Sequence, residues 1–161
     1  MKYIKYSAIY LIVFFIETNL IDFISIKGIA PDLSLIFLVF VSLKEPQIVA
    51  VIFGFGTGLF QDLFTFSLLG LSSLSKSLSC FLTFYFQQSK GNYSISYLGT
   101  VFFVITIIHD RIYQFIFLLG TNHHFFKSFL WYSFPKAIYT TAVAIIINFL
   151  LNKTIWQSGE I

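Results

Sequence analysis

Charge is scarce in this sequence. Asp, Glu, Lys and Arg make up 11% of its 161 residues, against 57% hydrophobic and 20% aromatic residues. A soluble domain carries about 25% charged and about 45 to 50% apolar residues, and a chain this small keeps much of its surface exposed after folding. Water is thereby excluded as the solvent around most of the chain, and an integral membrane protein remains. Cysteine is almost missing as well: Cys80 alone permits neither an internal disulfide nor a Cys-based zinc site. There is also no block of like charge. Ten Lys and Arg against seven Asp and Glu give a formal charge of +3, spread thinly along the chain, which argues against a nucleic-acid surface. At about 20 residues per spanning helix, six helices take about 120 positions and leave no room for a soluble catalytic domain.

Motifs of catalysis are lacking too. No Gly-x-Ser-x-Gly elbow, His-Glu-x-x-His or nucleophile with an evident base occurs, so the expectation is a non-enzyme without a cofactor. His109, His123 and His124 invite a metal reading, but His109 falls inside an apolar run and the other two in a loop. Gly54-Phe55-Gly56-Thr57-Gly58 hints at a phosphate-binding loop, yet no Lys-Ser or Lys-Thr follows it. Lys2 and Lys5 before the apolar run Tyr6 to Ile16 imitate a secretory signal. Glu17, Asn19 and Asp22 then stand where a small-residue cleavage site belongs, so residues 1–26 are expected to stay as a first helix.

What is present is a series of apolar runs separated by Gly, Pro and charge. They predict one all-α transmembrane domain over residues 1–161, a compact bundle of about six helices at 4–25, 31–43, 47–64, 68–86, 95–119 and 128–151. The runs are continuous rather than alternating, which disfavours a transmembrane β-barrel. The second run is the shortest, with 11 apolar-run residues from Leu33 to Leu43. Short connections such as Lys44-Glu45-Pro46 make successive helices antiparallel neighbours. With the N-terminus inside, Lys2, Lys5, Lys44, Lys90 and Lys153 fall on the cytoplasmic side and Lys27 and Lys127 outside, so both termini are expected in the cytoplasm.

Six of the remaining charges lie well inside predicted spans, where each costs about 2.5 to 3.5 kcal/mol on insertion scales and must face protein or a water-filled cavity. Glu17, Asp62, Lys76, Asp110, Arg111 and Lys136 form this set, with Gln114 sharing the face of Thr106 and Asp110 at intervals of four. They are expected to form an intramembrane polar network, in which Asp62 pairs with Lys76 while Asp110 and Arg111 answer to different neighbours. On the third helix Ala50, Gly54, Gly58 and Asp62 recur every four residues, a smooth stripe for close packing. On the fourth, Ser72, Ser75, Lys76, Ser79 and Thr83 should meet protein and Leu71, Leu74, Leu78, Phe81, Leu82 and Tyr85 lipid. Pro135 is expected to kink the sixth.

Pro31-Asp32-Leu33, Pro46, Gly54, Gly58, Asp62-Leu63 and Leu69-Gly70-Leu71 together resemble the rod shape-determining MreD family of bacteria. The resemblance is specific over residues 31–86 and extends to the rest only in size and hydrophobic character. It implies a multi-pass protein of the bacterial inner membrane, in contact with lipid, and a non-enzymatic scaffold of the cell-elongation machinery. It also implies partners: the bitopic protein MreC, the filament protein MreB, and the RodA and penicillin-binding protein 2 synthase that makes lateral peptidoglycan. Pro31, Asp32, Ala50, Gly54, Gly58, Asp62 and Gly70 would then be a helix-packing or partner face. The competing expectation is the substrate-binding membrane subunit of an energy-coupling-factor vitamin transporter, with Asp62, Lys76 and Asp110 lining a pocket.

Overall fold

The structure, a computed structural model, describes residues 2–25, 28–65, 68–87, 93–118 and 132–152. Among these residues there are six helices and no strand: α1 (Lys2–Ile24), α2 (Leu33–Lys44), α3 (Gln47–Thr65), α4 (Leu71–Phe84), α5 (Ile95–Leu118) and α6 (Phe134–Asn152). Two stretches, Gln47–Thr65 and Ile95–Ile116, are long and apolar enough to cross a membrane. The histidine pair 123–124 and Lys27, Lys90, Lys127 and Lys153 lie outside the described residues.

α2 is the axis of the bundle. It touches every other helix, while α3, α4, α5 and α6 follow one another around it. Leu35, Ile36, Val39 and Leu43 of α2 form the main core with Leu98, Val101, Phe102 and Ile105 of α5 and Ala144 of α6. A second cluster joins Leu38 to Ala50 and Cys80. The 12 residues of α2 rise only about 18 Å, which is enough for a helix wrapped on all sides by protein. α1 reaches α3 by rings, with Phe14 edge-on to Phe60 at 5.1 Å and Tyr10 donating a hydrogen bond to the Thr57 carbonyl at 2.9 Å.

Residues along α3 and α4 sort by chemistry in the direction opposite to a soluble protein. Ile48, Ile52, Phe55, Leu59 and Leu63 form the exposed stripe of α3, while Ala50, Gly54, Thr57, Gly58 and Asp62 are buried on its other side. On α4 the exposed residues are Leu74, Leu78, Phe81 and Tyr85, and the buried ones include Ser72, Ser75, Lys76, Ser79 and Thr83. Leu71, expected on the lipid side, is buried instead, because it starts the helix where the chain turns in under α3. Four of the α4 hydroxyls donate to carbonyls one turn back on their own helix, which satisfies them without a partner helix.

The glycine stripe is filled within the chain. A Cβ on Gly58 would stand 2.4 Å from the Ser73 Cα, and one on Gly54 would stand 2.8 Å from the Cys80 Sγ. Only glycine lets α3 and α4 approach this closely. Gly70 serves a different need. With φ of 94° it holds the left-handed turn before α4, a conformation that costs other residues about 1 to 2 kcal/mol, and α4 accordingly begins at Leu71 rather than at 68.

Pro31 also sits differently from expectation. Asp32 is the N-cap of α2 and accepts from the Leu35 N–H at 2.7 Å, so Pro31 precedes the helix instead of opening its first turn. Pro135 is the second residue of α6, directly after a π-helical turn at Tyr132–Ser133.

Candidate functional site

Six helix ends meet at the end of the bundle away from the N-terminus of α1. There α1, α3 and α5 finish and α2, α4 and α6 begin, so three positive helix-dipole ends converge and favour anions. The sequence supplies them. Asp32 caps α2 from its own chain end, and Glu17 of α1 reaches across to the same helix, accepting from the Ser34 N–H at 3.1 Å and from the Ser34 hydroxyl. Asp62 of α3 does the same for α4, accepting from the N–H groups of Gly70, Ser72 and Ser73 at 2.9, 3.1 and 3.4 Å.

This overturns the expected Asp62 to Lys76 pair. Asp62 is held by backbone donors at the α4 N-terminus, one turn away from the lysine along that helix. Lys76 donates to Gln61 Oε1 and lies 5.9 Å from the Tyr10 ring centre. Its side chain is 1% exposed, the largest of the fully buried ones.

The second cation of the interior has the closer ion pairs. Lys136 stands in the first turn of α6, where the dipole disfavours positive charge, and two carboxylates compensate. Its Nζ is 2.9 Å from Asp110 Oδ1 and 3.9 Å from Asp32 Oδ2. His109 completes the group, its Nδ1 3.5 Å from Asp110 Oδ1 and 4.0 Å from Asp32 Oδ2. The Asp32 backbone N–H meets the Thr140 hydroxyl at 3.3 Å, one helical turn beyond Lys136. Arg111 turns elsewhere, donating to Gln114 Oε1 at 3.0 Å and to the Ser133 hydroxyl at 2.8 Å. Asp110 and Arg111 thus have different neighbours, as a 100° step around one helix requires.

Between these groups is a cavity of about 450 Å³. Glu17, Asp32, Lys76, Asp110, Gln114 and Lys136 line it, joined by Pro31, Gln61, His109, Tyr113 and Tyr132. The network expected from sequence therefore splits. Glu17, Lys76, Asp110, Gln114 and Lys136 share the cavity, Arg111 stands behind Gln114, and Asp62 is committed to α4. Pro31 and Asp32, assigned by resemblance to a packing or partner face, are buried in the cavity wall, whereas Ala50, Gly54 and Gly58 pack inside the bundle. Gln61 and His109 are additions. His109 carried a signal, a histidine beside an acid within an apolar run; Gln61 was hidden beside the more conspicuous Asp62. Among the described residues no three His, Cys, Asp or Glu side chains converge as metal ligands.

An exterior of leucine, isoleucine and phenylalanine around an interior of carboxylates, lysines and hydroxyls defines a class: a helical bundle with its polarity turned inward, two of its helices suited to a bilayer. Within that class the family is known. The family model described as rod shape-determining protein MreD matches residues 3–155, and the chain belongs to the MreD family. No curated protein and no solved structure matches it.

Proposed function

We propose that the chain is a multi-pass protein of the bacterial inner membrane, with both termini in the cytoplasm, acting as a non-enzymatic scaffold of the cell-elongation machinery. Its family membership over residues 3–155 carries the reading, because a role in rod shape attaches to the family as a whole. The exposed apolar stripes of α1, α3 and α4 support a lipid setting: Ile12, Phe15, Ile48, Ile52, Leu74 and Leu78 all stand out from the bundle. In this reading MreC, MreB and the RodA and penicillin-binding protein 2 synthase are its partners, and it helps direct lateral peptidoglycan synthesis. Depletion from the parent bacterium should convert rods to spheres, and the protein solubilised in mild detergent should retain an MreC-like bitopic partner. Rods that persist through depletion would refute the proposal.

One observation favours a second reading, a membrane subunit that holds a small molecule as vitamin-transporter subunits do. The cavity has the size of a ligand site, about 300 to 1,000 Å³ being usual, and it opens at the end of the bundle that this topology places outside. Such a subunit should carry a ligand through purification, and Asp110→Ala should release it. A chain that purifies empty under conditions that retain its protein partners would exclude this reading.

A further inference from the structure

We infer that the cavity is a binding site for a small molecule bearing a protonated amine or guanidinium group. The lining contains three carboxylates, Glu17, Asp32 and Asp110, and two ammonium groups, Lys76 and Lys136. Among the described side chains, with histidine counted neutral, the formal sum is one negative charge, which the helix starts at Glu17 and Asp32 offset in part, and Arg111 is turned to Gln114 and Ser133 rather than into the space.

The carboxylates are not equally engaged. Glu17 is taken by Ser34, and Asp32 by the Leu35 N–H. Asp110 gives Oδ1 to Lys136, but among the described residues nothing donates a hydrogen bond to its Oδ2, although the side chain is 5% exposed. His109 Nε2, buried at the same wall, is equally without a hydrogen-bond partner. A buried polar atom left unmet costs about 1 to 3 kcal/mol, more when charged, and native structures leave few of them. A ligand that brings N–H donors and a positive charge meets the unmet carboxylate oxygen of Asp110, the one acid of the wall that caps no helix.

Other ligand classes fit the wall less well. An anion would stand beside three carboxylates. An uncharged apolar molecule would leave Asp110 Oδ2 as it is. A metal ion lacks three converging ligands among the described residues. Tyr113 and Tyr132 add aromatic rings to the lining, groups that favour cations where they present a face.

The inference rests on the cavity alone. A failed search for MreC-like partners leaves it standing, and its own failure leaves the scaffold reading standing. The test uses the full chain in detergent with Cys80→Ser and Thr65→Cys, Thr65 being an exposed residue of the lining. Aminoethyl methanethiosulfonate, a cation, and sulfonatoethyl methanethiosulfonate, an anion, are compared, each rate divided by that with a free thiol. A cleft of one sign concentrates its counter-ion, so the cation should react at least about tenfold faster. n-Butylammonium at about 10 mM, a concentration suited to weak fragment binding, should slow it, and n-butanol should not. Adding Asp110→Asn should bring the rate ratio toward unity. A ratio of one or below in the chain with intact carboxylates, or equal protection by butanol, overturns the inference. Both readouts stand even if the Asp110→Asn chain does not fold.

Discussion

Replacing Gly58 with alanine should pry α3 away from α4, and the size of the effect follows from the contact itself. The new Cβ would lie 2.4 Å from the Ser73 Cα, 2.6 Å from the Ser72 carbonyl oxygen and 2.6 Å from the Ser73 nitrogen. These are backbone atoms and cannot swing aside. Carbon atoms in contact stand about 3.5 to 4.0 Å apart, so the helices must separate by about 1 Å. Overpacking of this kind costs about 1 to 3 kcal/mol. The same movement stretches the three hydrogen bonds from the α4 N-terminus to Asp62, the longest already 3.4 Å; losing one such bond to a charged group adds about 2 kcal/mol. Alanine returns about 1 kcal/mol as the better helix former. The net is a destabilisation of about 3 kcal/mol, or about a hundredfold in the equilibrium between packed and parted helices. Cys80, the only cysteine of the chain, reports the parting directly, since its buried Sγ faces Gly54 across the interface. Labelling by a fluorogenic maleimide should accelerate by about that factor in Gly58→Ala when opening limits access. Gly56→Ala is the control: its Cβ would meet nothing within 4 Å, and labelling should stay at or below the wild-type rate. If the two variants label alike, the close approach of α3 and α4 is not what holds them together.

Three further outcomes follow from the geometry. Asp62→Asn should weaken the anchoring of α4 by about 1 to 3 kcal/mol, read as faster amide hydrogen exchange at Ser72 and Ser73 while the core amides of α2 keep their protection. In a double-mutant cycle of Asp110→Asn and Lys136→Met, the lysine change should cost about 3 to 5 kcal/mol because it takes the shared cation from two buried carboxylates, and the aspartate change less, since Lys136 keeps Asp32 at 3.9 Å. The double variant should cost less than the sum, and additivity in thermal unfolding would show that the 2.9 Å pair carries no coupling. Gly70→Ala should lose about 1 to 2 kcal/mol through its φ of 94°, with little change in Cys80 labelling, since no Cβ contact arises there.

The two faces of α3 were legible in the sequence because a helix brings every fourth residue to one side. Ala50, Gly54, Gly58 and Asp62 share that spacing, and large apolar residues occupy the opposite stripe. The serines of α4 were readable for the same reason. Which charges meet was not legible. Asp32 and Lys136 are brought together by the packing of α2 against α6, and no local spacing encodes an approach over such a sequence separation. Asp62 misled for a chemical reason: its partners are backbone N–H groups at the start of α4, and every sequence offers those, so the nearest cation looked like the better partner. A pocket lined by Asp62, Lys76 and Asp110 was among the expectations; Lys76 and Asp110 do line the cavity and Asp62 does not, and the rest of the wall was hidden because it belongs to six helix ends at once. Its acids are explained by the helix starts they neutralise, a relation that appears only when the ends are seen side by side.

The shortness of α2 has a consequence for how the membrane reading must be realised during synthesis. A span is released sideways into lipid when its own length and apolarity suffice, and about 20 residues are needed. The 12 residues of α2 end in Lys44, with Asp32 and Glu45 on either side. Alone in hydrocarbon, this segment would leave both flanking carboxylates near the apolar layer. From α1 alone it gains a partner at each end: Glu17 accepts from the Ser34 N–H at its start, and Tyr6 donates to Glu45 at 2.8 Å at its end. In the membrane reading the α1–α2 hairpin, rather than α2 by itself, would then be the unit that inserts, with α1 supplying partners to both ends of the shorter helix.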